Sequence, residues 1–264
     1  ELKYTQKIGE KLSLRGNQVT SIDTMQAEGA TIPFMARYRK EATGNLDEVV
    51  IGAVVEEIAY YTDLDKRKAT VIKTIEDLGK MTPELKTKID NCYSATELED
   101  IYLPYKPKRK TRATQAIEKG LEPLAKRLFE QQAFNPEEEA AKFVTADVKD
   151  AKEALQGARD IIAEWISEHE QARATVRQLF TESATLTSKV MTAKKEDEEA
   201  QKYRDYFEFN ESLSKSPSHR ILAIRRAEKE GYLLMDISID KTIAVENLEE
   251  IFVKSSNPAA DEVK

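Results

Sequence analysis

Apolar residues recur every three or four positions along most of this chain, which is the spacing found on the buried face of an amphipathic helix. The longest such stretch runs from Asp47 to Leu78 and is followed by Gly79, a residue type that commonly ends helices. Its regularly spaced apolar positions are Val50, Val54, Ile58, Tyr61, Leu64, Val71, Ile75 and Leu78. The pattern predicts one long helix, about 48 Å in length at 1.5 Å per residue.

Shorter helices are predicted on both sides of this stretch. Before it, Val19, Ile22 and Met25 share one helical face, and Thr31 followed by Pro33 has the form of a helix start. Three later segments have similar starting residues: Thr82-Pro83, Thr96 with Glu99, and Asn135-Pro136. Helices of this number and spacing are expected to pack as a bundle.

The last quarter of the chain has a different pattern. Aromatic residues cluster at Tyr206, Phe207 and Phe209, and apolar and polar residues alternate from Leu233 to Ile239, as is typical of β-strands. The fold class predicted is therefore mainly α: a multihelical bundle with one long helix and a small, two-stranded, β-hairpin-like element near the C-terminal part. We expect one multihelical domain over residues 1–193. Residues 194–264 are expected to contain a charged helix, short strands and a further helix.

Composition agrees with a helical protein of the cytoplasm. Only nine glycines and eight prolines occur in 264 residues, which leaves little turn material for a sheet of many strands. Because Cys92 is the only cysteine, an internal disulfide is excluded and a reducing, cytoplasmic location is expected. Glu56 and Glu57 interrupt the most apolar stretch, and charges occupy the N-terminus, so neither a membrane span nor a targeting peptide is expected. The absent initiator methionine and the charged ending PAADEVK indicate a piece of a longer protein.

Charge is distributed unevenly along the chain. The formal net charge is −7, yet Leu103–Arg127 contains eight basic and two acidic residues, a net charge of +6. The following segment, Glu130–Glu170, contains four basic and eleven acidic residues, a net charge of −7. The acidic total therefore conceals a basic patch, and such a patch favours an anionic partner.

Motifs of the common catalytic and cofactor sites are missing. The Gly79-Lys80 pair precedes a methionine rather than the Ser or Thr of a phosphate-binding loop, and no GxGxxG, HExxH or GxSxG occurs. His169 and His219 are isolated, which argues against a zinc site. A Ser-His-Asp arrangement assembled from distant positions stays open. We expect no cofactor, no metal site and no enzymatic activity.

One segment combines basic, aromatic and proline residues: LPYKPKRKTR, Leu103–Arg112. Pro104 and Pro107 preclude a continuous helix, so a stiff, extended loop is expected. Its cations can neutralise phosphates and its tyrosines can stack on unpaired bases, which suits RNA or single-stranded DNA. Two other interpretations stay open: a solvated loop, or cations neutralised by the acidic segment that follows. The predicted nucleic-acid contacts are Tyr105, Lys106, Lys108, Arg109, Lys110 and Arg112.

Two further basic clusters are weaker candidates. The first is added to the predicted nucleic-acid contacts, although helices commonly carry such a polar face; it comprises Arg37, Arg39 and Lys40. The second is better interpreted as a solvated helix face, and it comprises His219, Arg220, Arg225 and Arg226. Cys92 and Trp165 are expected in the core, where such residues are usually found.

Four long segments carry a family resemblance. They are EGATIPFMARYRKEATGNLDE (Glu28–Glu48), LEDIYLPYKPKRKTRA (Leu98–Ala113), EKGLEPLA (Glu118–Ala125), and YRDYF with LSKSPSHRILAI (Tyr203–Ile224). In this order they resemble the N-terminal region of the Tex family, so the resemblance spans nearly the whole chain. Three positions depart from the family pattern: Asn45 and Ala227, where glycine is common, and Lys110, where arginine is common. Because asparagine tolerates positive φ, the turn at Asn45 is expected to persist.

The resemblance implies both a fold and a class of function. Tex proteins are bacterial transcription accessory factors, related to a eukaryotic elongation factor, that bind nucleic acid without known catalysis by this region. A multihelical fold is implied. In the family this region precedes a ribonuclease-H-like domain, helix-hairpin-helix motifs and a C-terminal OB-fold that is its best-known RNA binder, none of which is visible in this sequence.

Two functional hypotheses follow. The first is a non-catalytic helical module of a Tex-like transcription accessory protein, which contributes sequence-independent contacts to RNA or single-stranded DNA and supports downstream domains. The second is a protein-interaction scaffold, in which Glu130–Glu170 or the long helix docks transcription or translation machinery without touching nucleic acid. A hydrolase would need a converging acid, base or metal site, and the sequence offers none.

Overall fold

The structure is a computed structural model, and it describes residues 3–264. The chain forms two compact units, of which the first ends at Lys106 and the second spans Pro107–Lys264. Helices dominate both units, and strands occur only in the second within the described residues. The prediction of a mainly α fold with a small β element near the C-terminal part is confirmed. The domain boundary predicted after residue 193 stays a prediction.

The first unit contains seven α-helices among the described residues, followed by a short 3-10 turn at Leu103–Tyr105. The helices are α1 (Thr5–Leu12), α2 (Gly16–Ala27), α3 (Ile32–Tyr38), α4 (Lys40–Thr43), α5 (Glu48–Asp77), α6 (Pro83–Asp90) and α7 (Ala95–Tyr102). Two predicted starts are confirmed, because the hydroxyls of Thr31 and Thr82 accept hydrogen bonds from the first turns of α3 and α6. The start predicted at Thr96 is wrong by two residues, since Ser94 caps α7.

The long helix α5 forms as its apolar pattern predicts. The Asp47 carboxylate accepts a hydrogen bond of 2.9 Å from the Val50 amide at the N-terminus, and Gly79 follows the C-terminus with φ +66°. Its buried residues are Ile51, Val54, Ile58, Tyr61, Leu64, Lys68, Val71 and Ile75. The break in the apolar spacing is Lys68, which is buried and donates a 2.9 Å hydrogen bond to the carbonyl of Asp90 at the end of α6.

The second unit contains eight α-helices and three strands. The helices are α8 (Arg112–Glu118), α9 (Glu122–Phe129), α10 (Pro136–Ala141), α11 (Ala151–Glu168), α12 (Glu170–Ser183), α13 (Ser218–Lys229), α14 (Lys241–Phe252) and α15 (Pro258–Asp261). Short 3-10 helices cover Thr192–Lys194, Ala200–Tyr206 and Leu213–Lys215. In α11, a Cβ built on Gly157 would lie 2.4 Å from Leu121 Cδ1, so this glycine permits close packing of the helices.

The sheet of the second unit has three antiparallel strands: β1 (Thr185–Val190), β2 (Glu208–Ser212) and β3 (Leu233–Ser238). The strand predicted at Leu233–Ile239 is present as β3. Of the three aromatic residues of the other predicted strand, only Phe209 lies in β2, because Tyr206 ends a 3-10 helix and Phe207 follows it. The prediction that the two form a two-stranded sheet is wrong. Each pairs with β1, which lies in the centre of the order β2-β1-β3. Leu186 of β1 is buried between Glu211 of β2 and Ile237 of β3 in the register.

Gln131 connects two distant parts of the second unit. Its buried side chain donates a 2.7 Å hydrogen bond to the carbonyl of Phe252 and accepts one of 2.7 Å from the amide of Lys254. Its own carbonyl accepts a 2.8 Å hydrogen bond from Asn257 Nδ2. Gln131 has φ +54°, so the chain leaves α9 through a left-handed backbone conformation. In this position the side-chain amide of Gln131 reaches the segment from Phe252 to Asn257.

Candidate nucleic-acid interface

The predicted basic loop begins immediately after the 3-10 turn. The amide of Lys106 donates to the carbonyl of Tyr102 over 3.1 Å, and no regular structure follows until α8 begins at Arg112. Thr111 caps α8 and accepts a 3.1 Å hydrogen bond from the Thr114 amide. The predicted interruption of the helix is confirmed, but the extended loop predicted for Leu103–Arg112 is shorter than expected, because Leu103–Tyr105 form the 3-10 turn and Arg112 begins α8. Tyr105 is half-buried against the core of the first unit, and Tyr102 is buried.

Lys108 is directed onto helix α11 rather than into solvent. Its ammonium lies 3.5 Å from Glu164 Oε2 and forms a closer pair with Glu168. The hydroxyl of Thr111 donates to Glu164 as well, over 2.9 Å. The Lys108 side chain is only 27% exposed. This cation is therefore already neutralised within the second unit, as one of the open interpretations of the sequence expected.

The remaining cations of the loop are more available. Lys110 pairs with Glu118 at 2.9 Å, and Arg112 lies 3.9 Å from Asp160 with 84% of its side chain exposed. Solvent-exposed pairs of this kind contribute little free energy, so a phosphate can replace the carboxylate at small cost. Arg109 is exposed and forms no ion pair with any described residue.

Lys106 is exposed and lies in the electrostatic range of Glu99. Arg67 holds that carboxylate with two hydrogen bonds, of 2.6 Å and 3.0 Å, while its guanidinium lies 5.3 Å from the Tyr102 ring centroid. These hydrogen bonds lower the pKa of Glu99, and the charge of Lys106 lowers it further. Because Arg67 satisfies the carboxylate, Lys106 stays free to contact another anion.

The second predicted cluster lies at the junction of α3 and α4. Arg37 Nη2 is 3.4 Å from Glu48 Oε1, the Arg39 guanidinium lies 5.7 Å from the centroid of the Phe34 ring, and Lys40 is exposed. The sequence prediction omitted two exposed aromatic residues here, Phe34 and Tyr38. Their i, i+4 spacing beside three cations was a signal available in the sequence.

The third basic cluster is largely paired within its own surroundings. Arg220 bonds Glu211 at 2.5 Å, which holds the pKa of that carboxyl below its ordinary value together with a hydrogen bond from Ser216. Arg225 pairs with Glu228 at 2.6 Å on the same helix. These contacts fit the interpretation of a solvated, ion-paired helix face.

Other reactive groups lie apart from one another. Within residues 3–264, no group of three or more His, Cys, Asp or Glu side chains is arranged to hold a metal ion. Burial raises the pKa of the Cys92 thiol, which also donates to the Ser94 carbonyl over 3.1 Å. His169 packs edge-on against Phe252, with ring centroids 5.1 Å apart. Cys92 is buried, which confirms it as a core residue, whereas Trp165 is half-buried and packs against the edge of the core of the second unit.

A groove of about 700 Å³ lies on the second unit. Side chains of α11, α12 and α14 line it, with Ile166, Val176, Phe180 and Leu248 among the apolar ones. Four basic residues and one acidic residue also line it, and the cations already have partners: Arg159 pairs with Glu262, Lys264 pairs with Asp261, and neither Arg173 nor Arg177 is unpaired. A surface of this kind can receive an apolar segment. Among the described helices, none combines the length and the apolar character that a membrane crossing requires.

Comparisons with known proteins match two parts of the chain to two family models, both of Tex proteins. Residues 2–76 match the family described as Tex-like protein N-terminal domain, and residues 131–261 match the family described as Tex central region-like. The basic loop lies between the two matched ranges.

Individual relatives align over most of the chain. Protein YhgF of Escherichia coli is 43% identical over 235 residues, covering 88% of this chain and 30% of the relative. Transcriptional accessory protein Tex of Neisseria gonorrhoeae is 39% identical over 232 residues, with the same two shares. The human S1 RNA-binding domain-containing protein 1 is 28% identical over 243 residues, covering 89% of this chain and 24% of the relative. The chain thus spans about 30% of the length of the bacterial relatives it matches.

Proposed function

Since the chain belongs to the Tex family, we propose that it is the N-terminal helical module of a transcription accessory protein and contributes sequence-independent contacts to single-stranded nucleic acid. It acts without catalysis, in the cytoplasm, and supports the domains that follow it in longer relatives. The observation that carries this proposal is the basic loop, in which Lys106 and Arg109 are exposed and have no ion-pair partner among the described residues.

The proposed contacts are made to the sugar-phosphate backbone of the nucleic acid rather than to its bases. Lysine and arginine side chains on an irregular segment can follow phosphates without recognising base edges, which gives affinity with little sequence preference. Four cations are available for this purpose: Lys106, Arg109 and Lys110 in the loop, and Arg112 at the start of α8. Lys108 is excluded from the set because Glu164 and Glu168 already neutralise it.

A salt titration tests the proposal. If the four available cations each meet a phosphate of one strand, they contribute about −2.8 to the slope of log K against log salt, from roughly −0.7 per contact. Lys106→Gln with Arg109→Gln should make the slope shallower by about 1.4, because two contacts are lost. Binding is measured by fluorescence anisotropy with strands of RNA and of DNA in parallel.

Lys108→Gln is the matched control for the titration. Its counterpart is Arg109→Gln alone, which should make the slope shallower by about 0.7. Lys108→Gln removes one charge from the same loop, but from a side chain directed onto α11, so the slope is expected to stay at its original value. Circular dichroism establishes that each variant is folded. Absence of binding to every strand at low salt rejects the proposed function, and equal effects of Lys108 and Arg109 reject the assignment of the available cations.

A second candidate function is favoured by the groove of the second unit. We propose, as the alternative, that the groove docks the apolar face of an amphipathic helix of a protein partner, because Ile166, Val176, Phe180 and Leu248 line it. An amphipathic peptide should bind, and a peptide of the same composition with its apolar face scrambled should not. Phe180→Asp should abolish binding, whereas Val144→Asp, at an exposed position of the same unit, should not.

A further inference from the structure

Two aromatic rings lie exposed on α3. Phe34 is 41% exposed and Tyr38 is 67% exposed, although large aromatic side chains are usually mostly covered in folded proteins. They are one helical turn apart, and their ring centroids lie 5.5 Å from each other at an interplanar angle of 46°. Two adjacent exposed rings form an apolar surface, and apolar surfaces bordered by polar residues are typical of interaction sites.

The position of the rings is set by the opposite face of the helix. Met35 is completely buried, and Ile32 and Ala36 pack against the same core. These contacts fix the orientation of α3 about its own axis relative to α5. The helical period then places Phe34 and Tyr38 on the outer face. The hydroxyl of Thr31 caps α3 by accepting a 3.4 Å hydrogen bond from the Phe34 amide. This bond fixes the backbone of the first turn, which carries the Phe34 ring.

The turn after α4 holds the neighbouring cations in place. Gly44 and Asn45 have φ of +70° and +63°, which confirms the expected left-handed turn at Asn45. The buried side chain of Gln18 donates a 2.9 Å hydrogen bond to the carbonyl of Thr43. Helix α4, which begins at Lys40, is therefore anchored to α2.

Three cations accompany the rings. The Arg39 guanidinium lies 5.7 Å from the Phe34 ring centroid, and Arg37, on the same outer face, has one exposed pair with Glu48. Lys40 follows Tyr38 by two residues and forms no ion pair with a described residue. Aromatic faces bordered by cations are the arrangement that single-stranded nucleic-acid sites use, since rings stack on bases and cations meet phosphates.

We propose that Phe34 and Tyr38 form a stacking platform for unpaired bases, with Arg37, Arg39 and Lys40 contacting the adjoining phosphates. This inference rests on the proposed binding of single-stranded nucleic acid and assigns the base-contacting site within it. The basic loop, with Tyr102 buried and Tyr105 half-buried, supplies phosphate contacts only. Lys40 favours nucleic acid over a protein partner, because lysine is depleted at the centres of protein interfaces and readily contacts phosphates.

Removing the rings without changing charge tests the platform. Phe34→Leu and Tyr38→Leu should each weaken binding to a strand of about 12 nucleotides by roughly 5- to 150-fold. The salt slope should stay as in the original chain, because no cation is removed. Phe34→Tyr and Tyr38→Phe, which keep an aromatic ring at each position, should bind as tightly as the original chain. Val49→Thr, a change at a highly exposed apolar position of the same unit, should leave affinity unchanged.

An abasic strand of the same length provides the decisive comparison. The original chain and the leucine variants should bind it equally, since it offers phosphates and no bases to stack. If the chain binds ordinary strands with the expected salt slope and the leucine variants bind them equally well, the platform is rejected and the proposed function stands. If nothing binds, both fail together.

A second measurement needs no variant. Strands carrying 5-iodouracil crosslink on irradiation to aromatic side chains stacked on the modified base. Mass spectrometry of the original chain should locate the crosslink at Phe34 or Tyr38. Crosslinks confined to other residues would overturn the assignment even if a leucine variant failed to fold. If the leucine variants lost binding to both ordinary and abasic strands, the rings would support the structure rather than stack on bases, and the platform would be rejected.

Discussion

At the scale of single residues, the ion pairs of the chain separate cations that support the fold from cations that face solvent. Lys108 is directed onto two glutamates of α11, while Arg109, the next residue, has no such partner. Arg67 is occupied by Glu99 and by the Tyr102 ring. Neighbouring basic residues therefore have different roles, because side-chain direction rather than composition decides which charge is accessible.

The pair of Arg67 and Glu99 leads to a prediction about pH. The hydrogen bonds from Arg67 lower the pKa of Glu99 in the folded chain, so the pair's contribution to stability is present above the unfolded pKa. It is lost as the pH falls through the folded pKa. Since both side chains are about two-fifths exposed, solvent screening limits the contribution to below about 1 kcal/mol.

Arg67→Gln should return the pKa of Glu99 towards its ordinary value, which carboxyl carbon NMR titration measures directly. Lys66→Gln is the matched control, because Lys66 pairs with Asp63 instead. An unchanged Glu99 titration in Arg67→Gln would contradict the role assigned to the two hydrogen bonds.

At the scale of elements, helices followed from the sequence far more readily than strands. The apolar spacing and end residues of α5 agree with its observed range to within a residue at each end. Strand β1 was missed because its sequence, TLTSKV, contains two apolar residues and no aromatic one. Its central position depends on the backbone hydrogen bonds that β2 and β3 offer on its two sides, and these are not encoded locally.

The N-cap of α5 yields a prediction at this scale. Asp47→Ala removes the acceptor for the Val50 amide and should reduce the free energy of unfolding by about 1 kcal/mol. Asp47→Asn keeps a side-chain oxygen and should cost much less. Urea denaturation monitored by circular dichroism compares the two, and an equal loss in both would assign the effect to charge rather than to capping.

At the scale of the whole molecule, contacts between distant segments decide what each unit can do. Gln131 bonds backbone groups more than 120 residues further along the chain. Glu164 reaches Lys108 across 56 residues. Such contacts carry no local pattern, so composition could identify the acidic and basic segments as possible partners but not which residues would meet.

Gln131→Ala tests the importance of one such contact. The change leaves the buried Phe252 carbonyl without its partner, which costs about 1–3 kcal/mol, and it also removes the acceptor of the part-buried Lys254 amide. We expect a clear fall in the thermal midpoint and faster hydrogen exchange of the Lys254 amide. Gln132→Ala, at the exposed neighbouring position, should change neither; a similar effect of both substitutions would refute this role of Gln131.

The amino-acid sequence by itself determined the helical class, the long helix, the interruption at the basic loop and the family, because these depend on local spacing, proline geometry and contiguous motifs. Only the tertiary structure decided that a third strand joins the sheet, that Lys108 is neutralised, and that Phe34 and Tyr38 face outward. Those outcomes depend on which side of each element packs against the core and on partners far away in the chain. Local residue patterns do not specify either.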